Sequence, residues 1–213
     1  MITILLTTTV HVNPKKIYAL QKNVNRRLTI YLKTIKQWLK TKFHIIVVEN
    51  SGYTFPELEN EKNKYKDRFE VITLDESHEP ECSRNDFSKG SSEIFSIHYA
   101  FTQSKLIHAS SFIIKVTARY FIPELENYLS QYDLNEYDCL TQNDRDRCEM
   151  VGCRSTKFSS IFNYILNDME GYNGHIEDIW KLRTSKCEKV LVCDIFTIEP
   201  TQRGNDYEVY TTI

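Results

Sequence analysis

The sequence predicts an α/β fold with a mostly parallel, Rossmann-like central sheet flanked by helices, and three observations point to it. Short β-branched runs alternate with longer stretches of helical spacing. A chain of 213 residues suffices for one such domain with a substantial core and not comfortably for two. No internal repeat or linker interrupts the order, so residues 1–213 read as one domain, whether or not it belongs to a longer polypeptide.

Ile2 to Val12 is β-branched and apolar and runs into Asn13-Pro14, a first strand. Lys15 to Leu39 then places apolar side chains at 17, 20, 24, 28, 31, 32, 35, 38 and 39, the spacing of one long helix. His44 to Val48 is a short continuous apolar strand halted by Glu49-Asn50-Ser51-Gly52. Glu57 to Arg68 reads as a solvent-facing helix and Phe69 to Leu74 as a third strand, before a loop from Asp75 to Gly90. Ser91 to His108 regains helical spacing and feeds a buried strand, Phe112 to Val116. After a polar break, Pro123 opens a helix to Leu129. Asp138 to Leu140 is a short strand, Thr141 to Arg154 a charged loop, Phe158 to Met169 a helix and Lys189 to Ile198 the last buried strand.

Composition narrows the function classes. Apolar content is 41% and net charge −2, against the basic average of a dedicated nucleic-acid binder. Nine Lys or Arg and no acid lie between Asn13 and Val48, but Tyr31 and Trp38 fall on the apolar side of that helix, so the run reads as a solvated face and no nucleic-acid partner is expected. The six cysteines (Cys82, Cys139, Cys148, Cys153, Cys187, Cys193) have no zinc spacing and read as reduced thiols of a cytoplasmic protein. The opening Met1 to Thr9 lacks a basic leader region, and no apolar run reaches the roughly twenty residues of a spanning helix. No Gly-x-Ser-x-Gly, Walker or dinucleotide fingerprint is present.

Four segments carry candidate chemistry. Glu49-Asn50-Ser51-Gly52 closes a parallel strand, where open α/β sheets bind ligands, and is otherwise an ordinary turn. Thr117-Ala118-Arg119 follows the strand at Phe112. Arg119 can grip phosphate oxygens through its fork of donors or pair on the surface with Glu124 or Glu126, and Lys115 either lies buried or reaches the site. His175-Ile176-Glu177-Asp178-Ile179-Trp180 sets two acids at a helix start, which suits the helix dipole or general-base chemistry. Lys89-Gly90 can bring an ammonium and backbone donors to a phosphate at the next helix start.

In that order the first three segments resemble landmarks of the GT-A fold nucleotide-sugar glycosyltransferases, with Lys89-Gly90 as a supporting candidate. Size and the Lys, Asn and Tyr bias also resemble the small transferase domains of large DNA viruses, of chlorella virus type, which implies host cytoplasm as the location. The resemblance implies a nucleoside-diphosphate sugar, a UDP-sugar, lying across the strand ends against Thr8, Thr9, Glu49, Asn50, Ser51, Asp75, Lys89, Gly90, Lys115, Arg119 and Arg203. It implies hexosyl or deoxyhexosyl transfer to a glycan hydroxyl with inversion, Asp178 acting as base beside Glu177. The family's acidic metal-binding pair is replaced here by Thr117-Ala118-Arg119, so no cofactor is firmly implied. Mg or Mn would be held mainly by the donor diphosphate, and Asp144 and Asp146 are the residues that could ligate a metal. A catalytically silent α/β domain that binds a nucleotide or another partner is the alternative.

Overall fold

The computed structural model describes residues 1–16, 19–78, 89–143, 148–165, 175–204 and 207–213. Its main sheet has seven strands: β1 (Ile2–Thr8), β2 (His44–Glu49), β3 (Phe69–Thr73), β4 (Phe112–Thr117), β5 (Cys139–Thr141), β6 (Met150–Arg154) and β7 (Val190–Val192). They lie in the order β3-β2-β1-β4-β6-β5-β7; β6 runs antiparallel to both neighbours and the other six run one way. A separate ribbon pairs β8 (Thr197–Gln202) with β9 (Val209–Thr212).

Strand alternation sends successive side chains to opposite faces, giving a core on each side of the sheet. Ile4, Leu6, Ile114 and Val116 pack with Tyr31, Ile35 and Trp38 of α1 (Val24–Trp38), with Leu125 and Leu129 of α5 (Leu125–Leu129), and with Ile198 of the ribbon. Leu5, Ile46, Val48 and Ile113 pack with Ile94, Ile97 and Ala100 of α3 (Lys89–Gln103), Ile107 of α4 (Lys105–Ala109), Phe158 and Ile161 of α6 (Phe158–Ile161) and Ile176, Ile179 and Trp180 of α7 (Ile176–Ser185). The short α2 (Glu59–Lys64) has no buried residue. Among the described residues no helix is long and apolar enough to cross a membrane.

The α/β expectation and the parallel strands β1 to β4 hold, and the departures have local causes. The first strand ends at Thr8, and α1 begins at Val24 because the Asn23 side chain caps it, accepting from Arg26 N at 2.9 Å. Leu20, part of the helical spacing that extended the predicted helix, instead donates its N–H to Gly204 O in the ribbon turn. Residues 141–154, read as a charged loop, contain a central strand, β6, whose Met150, Val151 and Cys153 are buried. The predicted helix 158–169 is helical only to Ile161, residues beyond 165 lying outside the described set. The predicted last strand divides into β7 and β8.

Candidate functional site

The carboxyl ends of β1, β2 and β4 lie side by side, because these strands pair in parallel register from Ile2↔Phe112 to Thr8↔Glu49. At the β1 and β2 tips, six of the sequence-selected residues form one network. Thr8 Oγ1 donates to Val48 O (2.9 Å) and Thr9 Oγ1 to Asn50 Oδ1 (2.7 Å). Glu49 Oε1 accepts from the N–H groups of Val10 (3.2 Å) and Ser51 (2.9 Å) and from the Ser51 hydroxyl. Ser51 bridges to Asp75, whose Oδ1 caps the Ser77 N–H at 3.0 Å. Thr8, Glu49 and Asn50 are buried, Glu49 completely, so they fix the shape of this turn from behind; Thr9, Ser51 and Asp75 are the half-buried members that form its surface.

Lys115 does not reach that surface. It is wholly enclosed on the α3/α7 face, where its Nζ meets Glu93 Oε1 (2.8 Å), Cys148 O (2.7 Å) and Thr117 Oγ1 (3.1 Å) and lies 4.8 Å from the Trp180 ring centre. Burial is the largest single influence and opposes its charge, but Glu93 together with Cys148 and Glu149 outweighs it and holds the pKa above the ordinary lysine value. Glu93 also accepts from Thr7 Oγ1 at 2.6 Å. This buried pair ties α3 to the underside of the β4 tip and is a structural part of the site.

Above it, three cations from distant segments converge. Arg119 extends from the β4 tip over the ribbon turn, where a Cβ added to Gly204 would lie 2.7 Å from both of its terminal nitrogens; its Nη1 also approaches Gln202 O at 3.5 Å. Arg203 follows Gln202; it donates to Tyr210 Oη at 2.8 Å, and its Nε lies 3.9 Å from Glu149 Oε1. Lys89 begins α3. Although Lys89 is exposed at the rim, crowding by protein removes part of its water, and that desolvation, then the positive fields of Arg119 and Arg203, lower its pKa to about 8. Behind Arg119, the buried Arg27 is held by Thr9 O (2.6 Å), Gln21 O (2.9 Å) and Tyr31 Oη (2.7 Å), with its pKa lowered chiefly by burial.

The start of α7 abuts the start of α3. Gly90 is buried, and a Cβ there would stand 2.7 Å from Ile176 Cβ and 3.2 Å from Ile176 N, so only glycine lets the two helix ends approach this closely. Gly90→Ala is expected to cost about 1–3 kcal/mol through overpacking against backbone, read by chemical denaturation. The approach also separates the two acids. Glu177 is half-buried, on the side of α7 that carries the buried Trp180 three residues on, and is close enough to Lys89 to act on its charge. Asp178, about 100° further round the helix, is exposed.

Fit to a divalent ion is poor at the β4 tip, where the residues present are two guanidiniums and an ammonium, while Glu93 and Glu149 each face a cation. Among the described residues no group of three or more His, Cys, Asp or Glu could hold a metal, and Asp144 and Asp146 lie outside them. Sequence reading missed Arg27, Glu149 and Gln142. The first was taken for a solvated helix face, and the others lie in the stretch 141–154 that was read as loop.

No protein-family model matches the sequence, and no curated protein matches it. Solved structures do. The galactosyltransferase LgtC, in complex with donor and acceptor sugar analogues, superposes with a TM-score of 0.50 at 10% identity over 90% of this chain and 73% of that one. The glycosyltransferase GlyE of Streptococcus pneumoniae TIGR4 gives 0.52 at 8% identity over 90% of this chain and 44% of that one. At such identities the likeness is one of fold: the chain has a GT-A-like glycosyltransferase fold. The likeness to viral transferase domains gains no support from these comparisons.

Proposed function

We propose that this protein is a glycosyltransferase that takes a sugar from a nucleoside-diphosphate donor, a UDP-sugar, and passes it with inversion to a glycan hydroxyl. One observation carries the reading: Arg119, Arg203 and Lys89, close enough for the two guanidiniums to depress the ammonium's pKa, lie where the parallel strands end and a helix of fifteen residues begins. A diphosphate suits that place because strand ends of open α/β sheets, helix N-termini and clustered guanidiniums each favour anions. The base and ribose would lie against Thr9, Ser51 and Asp75, with Glu49 and Asn50 fixing the turn beneath them. Glu177 would deprotonate the attacking hydroxyl, since a hydroxyl is a weak nucleophile until its proton is taken. Arg119, Arg203 and Lys89 would ease departure of the diphosphate, as fixed charges aimed at a developing anion do.

A hydrolysis screen of nucleotide sugars, with and without EDTA, tests the reading. Release of nucleoside diphosphate from one donor is expected, undiminished by the chelator. No turnover with any donor, together with no thermal shift at millimolar UDP, would leave the silent α/β domain as the better account.

The depressed Lys89 supplies a pH prediction. Its charged form attracts the diphosphate, and in the free protein that form is lost as pH rises through about 8. Donor affinity is therefore expected to be full below that value and to fall above it, and Lys89→Arg, which stays protonated, flattens the fall. Titration calorimetry from pH 6.5 to 9.5 reads both.

A further inference from the structure

Two buried side chains beside the cation cluster have polar atoms with no partner among the described residues. Gln142 follows β5 and is 3% exposed; its Oε1 accepts from Met150 N at 2.9 Å, which fixes the amide's orientation and leaves Nε2 buried without a partner. Glu149 precedes β6 and is 7% exposed; its Oε2 is likewise buried and, among the described residues, unpartnered, its Oε1 lies 3.9 Å from Arg203 Nε, and its charge acts on Lys115. Glu149 O accepts from Thr117 N at 2.9 Å, so both residues sit next to the β4 tip. Buried polar atoms are nearly always paired, and an unpaired donor and an unpaired acceptor set on adjacent strand ends together call for a ligand with the complementary pair.

We propose that Gln142 and Glu149 read hydroxyl groups of the sugar being transferred, Glu149 Oε2 accepting from one hydroxyl and Gln142 Nε2 donating to a hydroxyl oxygen. The inference rests on the glycosyltransferase reading above. Position selects the donor sugar over the nucleotide. Arg203, which belongs to the diphosphate cluster, is the residue that lies against Glu149, so the group following the diphosphate along the donor falls to this pair. Arg203 belongs to the turn of the β8–β9 ribbon, outside the seven-stranded sheet, and its side chain is 27% exposed. Glu49 also has an unpartnered Oε2, but it is wholly buried and its Oε1 is held by the N–H groups of Val10 and Ser51.

Glu149→Gln and Gln142→Glu test this, each keeping its shape while reversing or removing one polar function; Gln142→Glu retains the acceptor for Met150 N. Binding of UDP and of the donor found by the hydrolysis screen is measured by calorimetry, with thermal melting as the folding control. UDP affinity within about twofold of wild type, and a rise of tenfold or more in KM for donor hydrolysis without acceptor, is the expected result in both variants. Intact UDP binding with unchanged donor KM overturns the inference alone, as does a loss confined to the acceptor-dependent rate. Failure of wild type to bind any nucleotide removes the parent reading and this one together. Should one variant fail to fold, the other decides, because each is expected to lose donor recognition by itself.

Discussion

Glu177→Gln is expected to lower the rate of sugar transfer by about 10²–10⁴-fold, the usual contribution of a general base, while UDP and donor affinities stay near wild type. Glutamine keeps the volume and the hydrogen-bonding reach of the side chain but cannot take a proton. The effect is expected on Glu177 and not on Asp178 because of how α7 docks. Ile176 packs against Gly90 and Trp180 lies buried beside Lys115, which turns the intervening Glu177 toward Lys89 and leaves Asp178 exposed. Asp178→Asn is accordingly expected to change turnover by less than about twofold, as surface substitutions away from a site do. Single-turnover kinetics on both variants decides between them. The reverse pattern would return the base to Asp178, the residue that the sequence resemblance favoured.

Arg119→Ala is expected to weaken nucleoside diphosphate binding by about 10- to 150-fold, corresponding to the roughly 1.5–3 kcal/mol of hydrogen bonds to a charged group. Donor kcat should fall as well, because the charge on the leaving diphosphate grows toward the transition state. Folding should be little affected, since among the described residues the guanidinium's hydrogen bond is the long one to Gln202 O, at 3.5 Å, beside Gly204. Lysine restores part of the affinity as a point charge without the planar fork. An alanine variant with wild-type Kd would place the diphosphate elsewhere.

What could be read in the chain, and what could not, follows from the kind of contact involved. β1, β2 and β4 were legible because parallel strands covered on both faces are continuous β-branched runs, as in Ile45-Ile46-Val47-Val48 and Phe112-Ile113-Ile114. Their carboxyl ends then located Ser51 and Arg119 without further information. The reversed strand β6 was not legible: Met150, Gly152 and Cys153 lack β-branching, and charged residues precede them, so Glu149 and Gln142 were lost with it. Lys115 could be placed on a strand, but only its pairing with Glu93 from α3 shows that it stays inside. The choice between Glu177 and Asp178 depends on the phase of α7, and that is set by a tertiary contact at Gly90 that no local pattern encodes. The spacing that stretched the first helix back to Lys15 was genuine, but Leu20 belongs to a segment held by the ribbon turn.

The central claim is that side-chain cations at the tip of β4 recognise a diphosphate. Calorimetric titration of the wild-type protein with uridine, UMP and UDP, all in EDTA, addresses it most directly. Affinity is predicted to climb with each phosphate, UDP binding at least about tenfold tighter than UMP, in line with an added charge-assisted contact. Equal affinities for the three, or UDP binding that vanishes with the chelator, would contradict it.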